Sequence, residues 1–256
     1  MIGRIAALYR HPVKGFTPEP LQATRLAAAE PFPCDRIFAV EDGPSGFDPA
    51  APGHIRKMKL TVLAKIPALA RAVTTYDEAT GELRVGGVGV APFAGRLTTP
   101  EGRAAFEAWL DAFLRLVEPD ADFGPLKVLA SPRRFMDSPK GFVSILNLQS
   151  VRDLERRLGR AVDPARFRAN VLVEDWPAWS EHGRKGARIR LDGAQLTVLD
   201  DIDRCAAVEV DPARGVRDMD LVRDLFDRYG HICCGVYAEV SQGGEARVGG
   251  EAVWAA

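Results

Sequence analysis

From residue 170 onward the chain is a succession of short β-type segments, each bounded by turn residues. NVLVE, ARIRL, QLTVL, CAAVEV, CGVYAEV and EARVG follow one another, and Asp192-Gly193 marks a tight hairpin between the second and the third. About six strands spaced this closely are dense enough to close as a barrel.

The first half adds fewer strands and more helix. Ile2 to Tyr9 alternates loosely and then meets His11-Pro12, so it reads as a strand ending in a loop. Residues 37–40 and 71–76 are strand-like, and 42–54 form a loop rich in Gly, Pro and Ala. The turn 77–81 followed by Leu83-Arg84-Val85 predicts a hairpin with Gly81 left-handed. Three helices are expected. The first runs from about Pro100 to Val117, capped by Thr99, with Phe106, Trp109, Leu110, Phe113, Leu114 and Val117 as its apolar stripe. The second, about 148–158, buries Val151, Leu154 and Leu158 and stops at Gly159. The third, about 217–229, buries Met219, Val222, Leu225, Phe226 and Tyr229 and stops at Gly230. The class is therefore α+β, mainly β. The charged, Pro-containing stretch 118–125 is the expected boundary between an N-terminal β-rich domain, 1–120, and a β-barrel domain, 121–256.

Charge narrows the partners. Lys plus Arg total 34 against 35 for Asp plus Glu, a net charge of −1, so no surface for nucleic acid or for a membrane is advertised. A small-molecule ligand is expected instead. No apolar run reaches signal-peptide or membrane-span length, and four cysteines without C-x-x-C spacing make no disulfide scaffold. These features point to a cytoplasmic, reducing location.

Cys205 is the residue with the most chemistry. It sits in DRCAAVEVDP directly after Arg204, and a guanidinium beside a thiol favours the thiolate, as a nucleophile or a soft-metal ligand requires. The competing reading is a small buried hydrophobe at a strand edge. Cys233-Cys234 with His231 reads as structural, because adjacent strand residues point to opposite faces and zinc spacing is absent. Cys34 reads as structural too.

Among the cations, Lys14 follows a Pro-containing turn, Arg36 opens a strand, and Arg166 and Arg168 flank Phe167 ahead of Asn170. Arg and Lys at strand ends, with an Asn to read a polar ring edge, suit a phosphorylated or pterin-like ligand. Solvated surface positions are the alternative for each. A Walker loop, a dinucleotide fingerprint, a G-x-S-x-G elbow and an H-E-x-x-H are absent. His11, His54, His182 and His231 show no i, i+4 pairing, and Trp176-Pro177-Ala178-Trp179 reads as a loop packed on the barrel.

Taken in order, these pieces resemble a family. YRHPVKGF followed by EPL, then DRIFAVEDG, is similar to the opening of the β-barrel that precedes a MOSC domain, the domain named for the C-terminal part of molybdenum cofactor sulfurase. ARFRANVLVE resembles that domain's Arg-Phe-Arg-Pro-Asn motif, and GARIRLDGAQLTVL, DRCAAVEVDPARG, CGVYAEV and ARVGGEAV follow in the family's order.

The resemblance implies a MOSC-type β-barrel that holds molybdenum cofactor (molybdopterin), with Cys205 as the catalytic residue and the protein ligand to molybdenum. It implies that Lys14, Arg36, Arg168 and Asn170 hold the pterin and its phosphate, with Arg204 beside the metal. Relatives include the amidoxime-reducing component, which implies an oxidoreductase acting on N-hydroxylated substrates with electrons from a separate donor protein. A non-catalytic carrier of cofactor or sulfur is the alternative, and a barrel for another anionic small molecule is a third. The sequence departs from the family pattern at four places: Gly15 for Ser, Ala169 for Pro, Asp-Ile-Asp at 201–203 where a further cysteine is common, and Asn147-Leu148 for a Thr/Ser pair.

Overall fold

The computed structural model describes residues 1–51, 53, 55–86, 89–131, 135–137 and 143–255, so His54 lies outside the described residues. In chain order the strands are β1 (Ile2–Arg10), β2 (Glu19–Leu21), β3 (Ala23–Leu26), β4 (Phe38–Asp42), β5 (Val73–Asp77), β6 (Glu82–Gly86), β7 (Phe93–Arg96), β8 (Leu126–Ala130), β9 (Val143–Asn147), β10 (Val171–Glu174), β11 (Arg188–Leu191), β12 (Ala194–Asp203), β13 (Cys233–Gln242), β14 (Gly244–Arg247) and β15 (Glu251–Trp254). The helices are α1 (Pro100–Val117), α2 (Leu148–Leu158) and α3 (Leu221–Tyr229).

Seven strands close a barrel in the order β10-β9-β13-β12-β11-β15-β1, with β1 pairing back onto β10 and β2 lying outside on β1. Its centre is filled by branched side chains from six of the strands, among them Ile5, Ile145, Val173, Ile189, Leu196 and Val236, with Ala252 and Trp254 from β15. Trp176 is buried against it and donates from Nε1 to Ala252 O at 2.9 Å, so the Trp-containing loop does pack on the barrel. Among the described residues every ladder is antiparallel except β9–β10, whose connection runs through α2.

Four of the six segments expected to build the barrel do so, as β10 to β13. CAAVEV does not: Ala206–Glu209 form a 3-10 turn, because the ladder to β13 ends at Asp203↔Cys233 and leaves no partner beyond it. EARVG becomes β14 and pairs with β3 outside the barrel. The missing staves are β15, β9 and the opening strand β1. The loose alternation of β1 has a cause in its pairing, since a bulge between Ile5 and Ala7 turns Ile5 and Leu8 both inward although they are three apart.

A second core lies between β4–β8, the β5-β6-β7 sheet and α1, around Phe16, Phe38, Leu83, Phe106 and Phe113. Thr99 caps α1 by accepting from Gly102 N, and Gly81 takes φ 70° in the expected hairpin. α2 and α3 end on left-handed Gly159 and Gly230. α3 begins at Leu221 rather than near 217, because Arg217 bridges to Val210 and its Nη1 donates to Ala206 O at 2.8 Å. The face buried by α3 carries Leu221 and Leu225, which leaves Phe226, expected inside, 60% exposed. Among the described residues no helix is long and apolar enough to cross a membrane.

Candidate functional site

A cavity opens where the outer face of the barrel meets the N-terminal half. Lys14, Gly15, Arg36 and Lys57 line it from one side, and Ser144, Arg168, Arg204, Cys205 and Tyr237 from the other. Of the expected site residues, Lys14, Arg36, Arg168, Arg204 and Cys205 are thus brought together. Asn170 is not among them. It is fully buried behind the wall, where its Oδ1 accepts from Ser144 N at 3.1 Å and Ser144 Oγ at 2.8 Å, and its Nδ2 donates to Tyr9 O at 3.2 Å. Its amide ties β9 to β10 and β1 and has little left for a ligand.

Lys14 is delivered by the backbone between β1 and β4. Its N–H donates to Phe38 O at 2.8 Å, and its ammonium donates to Phe135 O at 2.8 Å and to Asp137 Oδ1 at 2.6 Å. Burial pulls that ammonium below the ordinary lysine value, partly offset by Asp137 and reinforced by the charges of Arg36 and Arg168. Gly15 explains its own departure from the family pattern. It holds φ +91°, and a Cβ there would stand 2.5 Å from Thr61 O, so a serine does not fit this backbone.

Arg36 and Arg168 both occupy the left-handed region, at φ 51° and 52°, which residues with a Cβ seldom enter. The two are stitched together: Arg36 N donates to His11 O at 2.6 Å, Arg36 Nη2 to Arg168 O at 3.2 Å, and Arg168 Nη1 to Phe16 O at 2.7 Å. Behind them Asp35, fully buried, pairs with Arg36 Nη1 and accepts from His11 N at 2.7 Å. Although burial opposes it, the charge of Arg36 and the bonds from His11 hold the Asp35 carboxyl well below the usual carboxylate range. Burial lowers His11 to about 3, with Arg168 and Arg36 adding repulsion, so its ring is neutral. Arg168 is lowered to about 9, first by burial and then by the charge of Arg36. The charge of Arg36 bears on the Arg168 guanidinium, and an anion placed between them would relieve that repulsion.

Arg204 lines the cavity but spends its donors on the fold. Nε and Nη2 both donate to Cys234 O, the first at 2.8 Å, Nη1 donates to Phe167 O at 2.8 Å, and the guanidinium lies 5.3 Å from the Phe167 ring centroid. It braces the strand that presents Cys205. Three register shifts along β12–β13, the last between Asp201 and Asp203, turn that strand end toward the cavity. Of the two acids there, Asp201 accepts from Gly183 N at 3.2 Å and does not line the cavity, whereas Asp203 lines it and accepts from Cys233 Sγ at 3.0 Å. Burial and then Asp203 push the Cys233 thiol up to about 12. Among the described residues no group of three or more His, Cys, Asp or Glu converges on one point as a metal site. A single half-buried thiol, Cys205, therefore faces a cavity rich in cations.

Lys57, Asp137 and Tyr237 are among the lining residues that no sequence motif singles out. Lys57 sits in the turn Lys57–Lys59, and burial pulls its ammonium down while the hydrogen bond and charge of Cys205 push it above the ordinary lysine value. Asp137 meets the same cations; burial opposes ionisation, but Lys14, Arg36 and Lys57 hold it well below the carboxylate range. Tyr237 comes from β13, cross-strand from Ser144, on the face turned away from the barrel core. A signal existed only for Tyr237, at an outward position in CGVYAEV between buried Val236 and Ala238.

This donor set fits an anionic, metal-bearing group: fixed cations for phosphate and a soft sulfur for the metal. Solved structures similar to the chain include the YUAD protein from Bacillus subtilis, at 15% identity over 98% of this chain and 94% of that one, with a TM-score of 0.47. YiiM from Geobacillus stearothermophilus is similar at 15% identity over 46% of this chain and 55% of that one, with a TM-score of 0.35. YiiM from Escherichia coli is similar at 15% identity, 47% and 57%, with a TM-score of 0.35. No curated protein matches the sequence. Two family models do: the MOSC N-terminal beta barrel domain over residues 2–122 and the MOSC domain over residues 132–253. The chain belongs to the family that joins these two domains.

Proposed function

We propose that the cavity binds molybdenum cofactor and that the protein is an oxidoreductase for N-hydroxylated or related small molecules, taking electrons from a separate donor protein in the cytoplasm. The MOSC domain family is associated with molybdenum cofactor binding. The observation that carries the reading here is one cavity holding Cys205 together with Lys14, Arg36, Lys57 and Arg168.

Within it Lys14, Arg36 and Arg168 would hold the phosphate and pterin, and Cys205 would be the protein ligand to the metal. The bound group would supply two-electron chemistry at an N–O bond. The chain supplies the rest. Lys57 hydrogen-bonds the Cys205 sulfur and sets a positive charge beside it. Asp35 holds Arg36 in place from the buried side, so the guanidinium is oriented before any ligand arrives. Tyr237, raised above the ordinary tyrosine value chiefly by burial, keeps its proton and is a hydrogen-bond donor at the wall.

Turnover separates enzyme from carrier. Protein from a cofactor-competent host is supplied with a chemical reductant and an N-hydroxylated amidine or nucleobase. Reduction that disappears in Cys205→Ser supports the oxidoreductase. Cofactor bound without any turnover, or a persulfide on Cys205 seen by mass spectrometry, points to a carrier instead.

A further inference from the structure

Most charges around the cavity already have partners. Arg36 is paired with Asp35, Arg166 with Asp218 at 2.8 Å, and Asp203 takes the Cys233 thiol at 3.0 Å. Among the described lining residues this leaves Asp137 as the carboxylate that meets the remaining cations, 2.6 Å from Lys14 Nζ and within the fields of Arg36 and Lys57. The pair is unequal in one respect. The Lys14 side chain is 6% exposed and cannot leave, whereas that of Asp137 is 48% exposed and can turn into solvent. The backbone beside it is anchored independently, since Phe135 N donates to Arg36 O at 2.8 Å and Phe135 O accepts from Lys14. Removing Asp137 alone would strand a buried ammonium without a counter-charge, which is strongly unfavourable, so the carboxylate departs only as another anion arrives.

We propose that Asp137 is a displaceable internal counterion, holding beside Lys14 the position that a phosphomonoester or inorganic phosphate takes when it binds. The inference rests on reading the cavity as an anion site and adds that ligand entry is an exchange rather than a simple addition. The affinity for phosphate is then set by the difference between the incoming anion and Asp137. The strength of the cation cluster alone does not determine it.

The test is titration of inorganic phosphate into the full chain purified without cofactor, followed by calorimetry, for wild type, Asp137→Asn, Asp137→Ser and Lys14→Met. Both Asp137 variants are expected to bind phosphate about tenfold tighter or more, and Lys14→Met to lose most of the binding. Two substitutions of different size guard against a packing defect peculiar to one. Unchanged or weaker binding in both would overturn the proposal and make Asp137 an organiser of the site. Tighter phosphate binding in a protein that never carries molybdenum would keep this inference and defeat the proposed function. Molybdenum loading with no effect of Asp137 would do the reverse.

Discussion

Arg36 donates from Nη2 to the backbone oxygen of Arg168 at 3.2 Å, and both residues hold left-handed backbone on opposite sides of one cavity. The contact joins the N-terminal half to the barrel at the point where their cations meet. Burial first, and then the charge of Arg36, lower Arg168 to about 9. Removing one of the two arginines should therefore change ligand binding more than stability. Arg168→Met is expected to weaken phosphate binding about tenfold or more, because a charge-assisted contact is lost, while its denaturation midpoint falls little. Paired phosphate titrations and urea melts check this, and a large stability loss with intact phosphate binding contradicts it.

Asn170 should behave in the opposite way. Truncation to Ala leaves Ser144 N and Tyr9 O without this partner inside the wall and the Ser144 hydroxyl without its acceptor, although residue 170 N still donates to Ser144 Oγ. Each orphaned buried group is costly, and a loss of about 2–4 kcal/mol is expected in urea denaturation. A loss below about 1 kcal/mol would mean the amide is not the tie described.

Gly15→Ser restores the residue usual in the family and should still destabilise. The backbone angle of +91° and the 2.5 Å approach of a Cβ to Thr61 O leave no room without a shift of the backbone at Thr61-Val62. A loss of about 1–3 kcal/mol, seen as a lower Tm, is the expected result. A neutral or stabilised variant would refute this account of the glycine.

The buried His11–Asp35 pair makes stability fall with acid. Below pH 6.5 the unfolded chain takes up a proton on His11 that the folded chain refuses until about pH 3. The unfolded state binds more protons across that window, so stability is lost as pH falls through it, on the order of 4 kcal/mol from this histidine. Asp35, depressed in the folded state, adds a further loss at the acid end as its carboxylate protonates on unfolding. His11→Gln should flatten the pH dependence of urea denaturation between pH 6.5 and pH 3. An unchanged slope would show that His11 is not the group responsible.

Thiol reactivity should single out Cys205 from the cysteines of β13. Cys233 is pushed up to about 12 by burial and Asp203, and Cys234, fully buried, is pushed up to about 12 by burial. Iodoacetamide at pH 8 is expected to label Cys205 well before either, read by peptide mass spectrometry. Earlier labelling of Cys233 contradicts the arrangement.

Much of this was legible in the residues, for reasons that differ by element. α1 carried a cap and an apolar stripe and α2 a stripe and a glycine stop, and their observed bounds agree with those read from the sequence. The barrel was legible as a density of strands but not as a set. The sequence signal at Ile2–Arg10 is local, and nothing local tells that its partners are β10 and β15 at the far end of the chain. CAAVEV reads as a strand by composition, yet strand formation needs a neighbour, and the ladder ends two residues before it. Lys14, Arg36, Arg168, Arg204 and Cys205 could be singled out because motifs surround them. Lys57 and Asp137 sit in irregular segments where a charged residue reads as solvated, so only their position in space reveals them.

The central claim is that one cavity holds a metal-bearing, phosphorylated group through Cys205 and its cations. Molybdenum and pterin measured on protein from a cofactor-competent host, by elemental analysis and oxidised-pterin fluorescence, test it most directly. The account predicts near-stoichiometric molybdenum and pterin in the wild type. In Cys205→Ser it predicts loss of molybdenum with part of the pterin retained by Lys14, Arg36 and Arg168. Wild-type protein that carries neither would contradict it.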